Sequence, residues 1–333
     1  MKPVQFLAVG DLVTDAFIRL KDAHVTCSLN NERCELCMRY GDKIPFEFAE
    51  EVKAVGNIAN AAVCAARLGL SSGLISHVGD DMQGKDAIAE LLKRGVSPKY
   101  VTAEKGKKTN YHYVLWYESE RTILIKHEAF TYTWQDPAET PQWLYLSSLG
   151  HDTEAYHDAI VGYLKKHPEV LLAFQPGTFQ LKLGIARLME IYARSNIFVC
   201  NAQEAELLLD VGAGTLTPDA LAVRMQSYGP KIVVITDGPK GAYVAEGKSV
   251  FFQPPYPDPQ PPYERTGAGD AFASTFTSCI ALGMSVSDAL MRAPINSMSV
   301  VQKIGAQAGL LSLAEIEEWL KKAPADYKTK QLK

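Results

Sequence analysis

Cysteine is scarce, six in 333 residues, which excludes a disulfide-built scaffold. No stretch of about 18 apolar residues occurs, so nothing in the sequence reads as a membrane span. Neither sign of charge dominates: 34 basic against 38 acidic residues leave a net of −4, without the basic surplus on which nucleic-acid binding depends. The His-Glu-x-x-His motif of metal hydrolases is absent, and His77, His112, His127, His151, His157 and His167 stand at no ligand-like spacing. No G-x-G-x-x-G follows the first apolar run, which counts against an NAD dehydrogenase. Met1 to Val9 carry neither the basic region nor the apolar core of a secretory signal. These absences predict a cytoplasmic globular protein with no nucleic-acid or membrane partner, and 47% hydrophobic residues suffice for a large core.

Three of the cysteines, Cys64, Cys200 and Cys279, sit in apolar runs where a thiol packs as a small hydrophobe. The others form a cluster, His24, Cys27, Cys34 and Cys37, spaced H-x2-C-x6-C-x2-C. Four soft ligands this close permit a tetrahedral zinc. A reduced loop without metal is the simpler expectation.

Apolar β-type runs recur at 6–9, 73–76, 143–146, 170–173, 197–199 and 232–235. Helical patterns lie between them, at 58–68, 86–94, 154–166, 181–193, 204–209 and 221–228. Strands buried on both faces that alternate with helices predict an α/β fold with a largely parallel sheet between helices. Three consecutive helical patterns close the chain, Gly269–Leu282, Ser285–Val301 and Leu313–Lys321. Residues 16–50 and 109–133 break the alternation, being β-rich with exposed-type periodicity, and predict a small β-sheet lid over the carboxyl ends of the core strands. The division is then 1–15, 51–108 and 134–325 for the main domain, 16–50 and 109–133 for the lid, and 326–333 for a C-terminal tail. The Pro-rich segment 254–262 cannot be a central strand or a helix and reads as an ordered loop.

Three glycine-rich loops invite a phosphate reading. Gly79 to Asp86 nearly matches G-x4-G-K-[ST], but Asp86 replaces the hydroxyl and sets a carboxylate where phosphate charge would lie; a turn before a helix is the better reading. Gly212-Ala213-Gly214 lacks a third glycine and reads as a loop. Thr266-Gly267-Ala268-Gly269-Asp270 is different, because a long helical pattern follows it and the first amides of that helix are left to face a ligand. Asp270 is either a cap for the helix or a base beside an anion cradle.

That segment, with Ala271-Phe272, resembles the C-terminal signature of the ribokinase-like, or PfkB, family of sugar and nucleoside kinases. Further pieces stand in the family's order. Val9-Gly10-Asp11-Leu12-Val13-Thr14-Asp15 is similar to the first strand and its substrate Asp. Gly56-Asn57-Ile58-Ala59-Asn60, with Arg67-Leu68-Gly69, resembles the N-terminal signature. Val78-Gly79-Asp80-Asp81 with Gly84 resembles the strand and turn after it, Asn201-Ala202-Gln203-Glu204 the N-x-x-E element, and Thr236 to Ala242 the T-x-G-x-x-G nucleotide turn. The likeness spans about residues 4–322.

The resemblance implies a kinase that transfers the γ-phosphoryl of ATP, with Mg²⁺, to a hydroxymethyl group of a sugar. It implies Asp270 as the base and the amides of Gly267, Ala268 and Gly269 as the cradle for phosphoryl charge. Asp15, Gly56 and Asn60 would hold the acceptor. Asn201 and Glu204 would order Mg²⁺, with Glu204 acting through water, and Thr236, Gly238 and Gly241 would line the ATP phosphates. Read without the family, Asn201 and Glu204 are equally a helix cap with its first-turn partner, and Asp237-Gly238 a plain turn.

Departures from the family pattern qualify the substrate. Val55-Gly56 stands where paired glycines are common, Glu264-Arg265 precedes Thr266 at the place of a monovalent-cation site, so that Arg265 is an alternative phosphate contact there, and Pro294 lies in the helix near the adenine. Two alternatives stay open: a nucleoside kinase, with Trp116, Tyr117, Phe130, Tyr132 and Trp134 stacking on a base, and a catalytically silent metabolite sensor on the same fold. A homodimer through the lid edge is a further expectation.

Overall fold

All four residues of the first strand, β1 (Phe6–Val9), are buried; Phe6 and Ala8 face one hydrophobic core and Leu7 and Val9 the other. A strand apolar on both faces is stable only inside a sheet that helices cover on both sides. The computed structural model, which describes residues 4–27 and 34–333, is built this way. The strands that follow are β2 (Val13–Leu20), β3 (His24–Cys27), β4 (Cys34–Cys37), β5 (Phe46–Val55), β6 (Ser72–Gly79), β7 (Val96–Glu104), β8 (Asn110–Tyr117) and β9 (Glu120–Leu124). After them come β10 (Trp143–Leu146), β11 (Leu171–Phe174), β12 (Ile197–Asn201), β13 (Ile232–Thr236), β14 (Ala242–Glu246), β15 (Ser249–Gln253) and β16 (Lys330–Gln331). The helices are α1 (Asn57–Arg67), α2 (Met82–Lys93), α3 (Glu154–Lys166), α4 (Thr178–Arg187), α5 (Met189–Arg194), α6 (Ala202–Leu208), α7 (Pro218–Gln226), α8 (Ala268–Ala281), α9 (Val286–Val300) and α10 (Leu313–Lys321).

The main sheet has ten strands in the order β16-β15-β14-β13-β12-β11-β10-β1-β6-β7. It is parallel from β13 to β7 and antiparallel from β13 to β16. Buried residues of α1, α8 and α9, among them Ile58, Phe276 and Leu290, fill one core; those of α3, α5 and α7, among them Ile160, Tyr192 and Leu221, fill the other. Because β1 has β6 on one side and β10 on the other, the order reverses at β1, and a crevice opens outside the carboxyl ends of the strands there.

A second sheet, β5-β2-β8-β9, forms the lid. Its strands begin at Val13, which pairs with both Val55 and Asn110. Asp15 therefore lies within a lid strand, and the lid reaches further into the flanking sequence than 16–50, since its pairing runs from Val13 on β2 to Val55 on β5. His24–Cys27 and Cys34–Cys37 do not join that sheet. In the separate β3–β4 ribbon, Cys27 faces Cys34 and His24 faces Cys37. Residues three apart on a strand point to opposite faces, so these four side chains do not converge on one metal. Cys27 and Cys34 are joined by a disulfide, while Cys37 is a free thiol. Both the zinc and the fully reduced loop give way to this pairing.

Two further expectations are corrected. The helical pattern 181–193 is two helices, α4 and α5, which part at Leu188, and α4 is itself kinked at Gly184, where φ is 70°. The last residues are not a free tail, since Lys330 and Gln331 pair with Phe252 and Phe251 and occupy the open edge of β15. The near-match at 79–86 is a packed turn: Asp81 caps α2 at Gly84 N and accepts from the Thr109 hydroxyl at 2.6 Å, and Asp86 pairs with Lys53 at 2.7 Å. Among the described residues, no helix is long and apolar enough to cross a membrane.

Candidate active site

Each parallel strand around the crevice ends in a polar or small residue that turns toward it. Asp11 follows β1, Ser148 follows β10, Gln175 follows β11, Asn201 ends β12 and Thr236 ends β13, and all five line one cavity of about 840 Å³. The lid closes it from above with Asp15, His112 and Arg121. A second cavity of about 280 Å³ adjoins it, sharing Thr236, Arg265, Ala268 and Gly269. Its far wall is formed by the Pro-rich loop, through Pro255, Tyr256 and Pro262, and by Pro294 and Met298 of α9.

At the junction stands the start of α8. Gly267 caps it at φ 81°, and a Cβ there would lie 2.2 Å from the Cβ of Ala306, so the position accepts glycine alone. The first helical hydrogen bond runs from Ala271 N–H to the Gly267 carbonyl at 2.8 Å. The amides of Ala268, Gly269 and Asp270 precede it and have no helical acceptor, so they carry the positive end of a 14-residue helix toward the cavity. Gly269 has nothing within 4 Å of its Cβ position, which leaves room for a ligand to approach the backbone.

Asp270, in the first turn, does not cap the helix. Three amides hold its carboxylate: Asn57 Nδ2 donates to Oδ1 at 2.9 Å, Gln175 Nε2 to Oδ1 at 3.0 Å, and Asn60 Nδ2 to Oδ2 at 2.8 Å. Burial pushes its carboxyl above the usual aspartate range; the amides of Asn60, Gln175 and Asn57 pull it back, and Asp15 pushes it up. Gln175 is itself oriented, because the hydroxyl of the fully buried Tyr145 donates to its Oε1. Both polar atoms of the Asn60 amide are engaged, Nδ2 by Asp270 and Oδ1 by Gln307 Nε2 at 2.9 Å. Asn60 thus serves the carboxylate, and it also lines the larger cavity.

The other sequence candidates fall around the same cavities. Gly56 lines the larger one at φ 97°, with its Cβ position 3.0 Å from the Asp11 carbonyl, so backbone packing requires glycine there. Asp15 is 8% exposed, beside His112 Nδ1 at 3.4 Å, and its Oδ1 has no hydrogen-bond partner among the described residues. A buried carboxylate oxygen left open in this way fits a hydroxyl donor from a ligand. Asn201 and Glu204 form a reciprocal cap, Glu204 N to Asn201 Oδ1 and Asn201 N to Glu204 Oε2, both at 2.9 Å, and both line the cavity. Burial and the nearby Asp270 raise the Glu204 carboxyl, against the hydrogen bonds from Asn201. Thr236, Gly238 and Gly241 line the smaller cavity, the glycines framing a 3₁₀ turn at φ 51° and 107°. Glu264 is buried, its oxygens accepting from Thr266 N at 2.7 Å and Gly305 N at 3.4 Å, whereas Arg265 lines both cavities and pairs with Glu120 of the lid at 3.2 Å.

None of the five lid aromatics lines either cavity. Trp116 is fully buried against Phe48 and Tyr263, Phe130 packs on His77, Tyr132 donates to Asp11, and Trp134 packs on Tyr156 and Tyr163. The aromatic side chain that does line the larger cavity is Phe179, in contact with His127 and His151. Sequence reading missed Asn57 and Gln175, although each had a signal: Asn57 adjoins the Gly56 motif, and Gln175 is the polar residue directly after a buried strand.

A model of the pfkB family carbohydrate kinases matches residues 29–313. The chain belongs to that family. It is 25% identical over 294 residues to the 5-dehydro-2-deoxygluconokinase of Clostridium tetani, covering 82% of this chain and 85% of that one. It is 29% identical over 280 residues to the ribokinase of Schizosaccharomyces pombe, covering 79% and 85%. The structure of Arabidopsis thaliana ribokinase complexed with ribose and ATP superposes at a TM-score of 0.76, over 96% of this chain and 99% of that one; at 21% identity the likeness is one of fold.

Replacing Gly267 with Ala forces a side chain into Ala306 from left-handed backbone. The expected cost is about 1–3 kcal/mol, read as a lower urea midpoint with an unchanged m-value; an unaltered midpoint would contradict the packing described.

Proposed function

We propose that the chain transfers the γ-phosphoryl group of ATP to a hydroxymethyl group of a sugar, with Asp270 as the base. The observation that carries this is the juxtaposition of a buried carboxylate with unpaired helix amides where two cavities meet. The smaller cavity, between the Pro-rich loop, α9 and the turn at Gly238, suits the nucleoside part of ATP. Its triphosphate then passes Thr236 and Arg265 toward the amides of Ala268 and Gly269. The acceptor enters the larger cavity beneath the lid, where Asp15 accepts a hydroxyl proton and Gly56 allows close approach to the backbone.

Asp270 removes the proton of the acceptor hydroxyl as its oxygen bonds to the γ-phosphorus; the bond from phosphorus to the bridging oxygen breaks, and ADP leaves with that oxygen. The α8 amides hold the charge that collects on the phosphoryl oxygens. Asn57, Asn60 and Gln175 keep the carboxylate aimed, and Tyr145 keeps Gln175 aimed. For Mg²⁺ the fitting residues are Glu204, whose Oε1 has no protein hydrogen bond among the described residues, and Asn201 beside it; the ion, when bound, neutralises phosphate charge. With Glu264 committed to backbone amides, a monovalent cation is not part of this proposal.

The aromatic argument for a nucleoside acceptor falls with the positions of the lid rings, and a silent sensor has no use for a carboxylate held by three amides. The outer face of the lid exposes Tyr113 and Leu124, which pair across β8 and β9, and Phe46 of β5. These support a homodimer through the lid, expected at twice the chain mass in light scattering; a monomer at micromolar concentration would reject it.

Asp270→Asn should lower kcat by about 10² to 10⁴ while ATP still binds in calorimetry; retained turnover would sink the assignment of the base. Activity requires the ionised carboxylate, whose pKa lies above the usual aspartate range, so kcat/KM should fall on acidification at a pH above that range. The amides lower that pKa, so Gln175→Leu should move the acid limb to higher pH. A limb that stays in place would leave Gln175 a packing residue only.

A further inference from the structure

At the end of the large cavity beneath the lid, carboxylates stand beside histidines. Asp11 accepts from the Tyr132 hydroxyl at 2.8 and 3.0 Å and sits 3.1 Å from His127 Nδ1. Asp15 stands beside His112 at 3.4 Å, and Asp152 beside His151 at 2.7 Å. The cations there are not matched in the same way. Lys126 and Lys182, both exposed, line the cavity, and neither forms an ion pair among the described residues. Lys182 is held 5.5 Å above the ring of Phe179, the same ring that His127 and His151 contact. Arg121 reaches in from β9 and, among the described residues, pairs only with the exposed Glu120 and leaves its buried Nε without an acceptor.

Positive charge without an ion-pair partner, on the wall of the cavity proposed for the acceptor, favours an anionic ligand over a neutral one. A neutral sugar needs paired hydroxyl acceptors and donors, which Asp15 and its surroundings provide; it gives the lysines nothing to do. Resting on the kinase reading above, we infer that the acceptor is an anionic sugar, one that carries a carboxylate or a phosphate at the end remote from the hydroxymethyl group. Lys182 and Lys126 bind that anion, with Arg121 above it, and Phe179 sets the height of Lys182. The charge then fixes orientation, because only one end of such a molecule can lie against the lysines while the other lies against Asp270.

The test measures binding and turnover separately, with the full chain and matched triplets. These are ribose, ribonate and ribose 1-phosphate, and glucose, gluconate and glucose 1-phosphate; every member keeps a free terminal hydroxymethyl group. By calorimetry at low salt, at least one anionic member of a triplet should bind at least tenfold more tightly than its neutral parent, and added NaCl should shrink the difference. The carboxylate and phosphate arms identify which anion is preferred. Lys182→Met should erase the preference by raising Kd and KM for the anionic member tenfold or more, and Lys182→Arg should restore it. Neutral parents that bind as tightly as the anions, no binding by any anionic member, or a preference untouched by Lys182→Met would each overturn the inference. ADP release is scored independently. An anion preference without ADP release would defeat the kinase reading and leave the charge assignment standing, whereas efficient transfer to neutral parents in preference to their anions would do the reverse.

Discussion

The buried carboxylate of Asp270 depends on being held by neutral donors. A charge removed from water must be compensated, and a lysine or arginine at that place would compensate it too well, stabilising the ionised form until it was a poor base. Three amides do less: they favour the ionised carboxylate, while burial and the neighbouring Asp15 hold its pKa above the usual aspartate range. The rest of the molecule can be understood as the framework that brings these donors to one point. Asn57 and Asn60 come from α1, Gln175 from the end of β11 and Asp270 from α8, and each is placed by an element whose other residues are buried in one of the two cores.

Tight backbone approach is the second constraint. Gly267 lies against Ala306 and Gly56 against the Asp11 carbonyl, and both have positive φ. At these two points the start of α8 and the start of α1 face the cavity with no side chain between ligand and amide. The Pro-rich loop supplies the opposite wall of the smaller cavity, a use for stiff backbone that needs neither helix nor strand. Arg265 joins this region to the lid through Glu120, so the lid and the cradle share one charged contact.

Histidines and carboxylates alternate beneath the lid, and their pairing leaves the lysines as the unanswered charge. That arrangement is built from five separate parts of the chain: the segment from the end of β1 into β2, β8, the segment after β9, the turn after β10, and α4. Its meaning lies in what is matched and what is not. Counting the formal charge of the chain, which is near balance, gives no hint of a local surplus.

The sequence alone determined the layers, because apolar runs too short for helices and buried on both faces can only be parallel strands between helices. It also located the unpaired amides at the start of α8, because the first N–H groups of a long helix have no helical acceptor. Six of the strands and the three closing helices were legible in this way, whereas the hairpin β14–β15 and the edge strands β7 and β16, half-exposed and without clean alternation, were not. What only the tertiary structure decided was which polar groups meet. Asn57 and Asp270 are 213 residues apart, and no local pattern relates them. Likewise, strand register, and not spacing, set Cys27 against Cys34, and core packing drew the lid aromatics away from the cavity and put Phe179 into it. Propensity and periodicity act over a few residues along the chain, while hydrogen bonds and ion pairs act over a few ångströms in space, and folding is what converts one distance into the other.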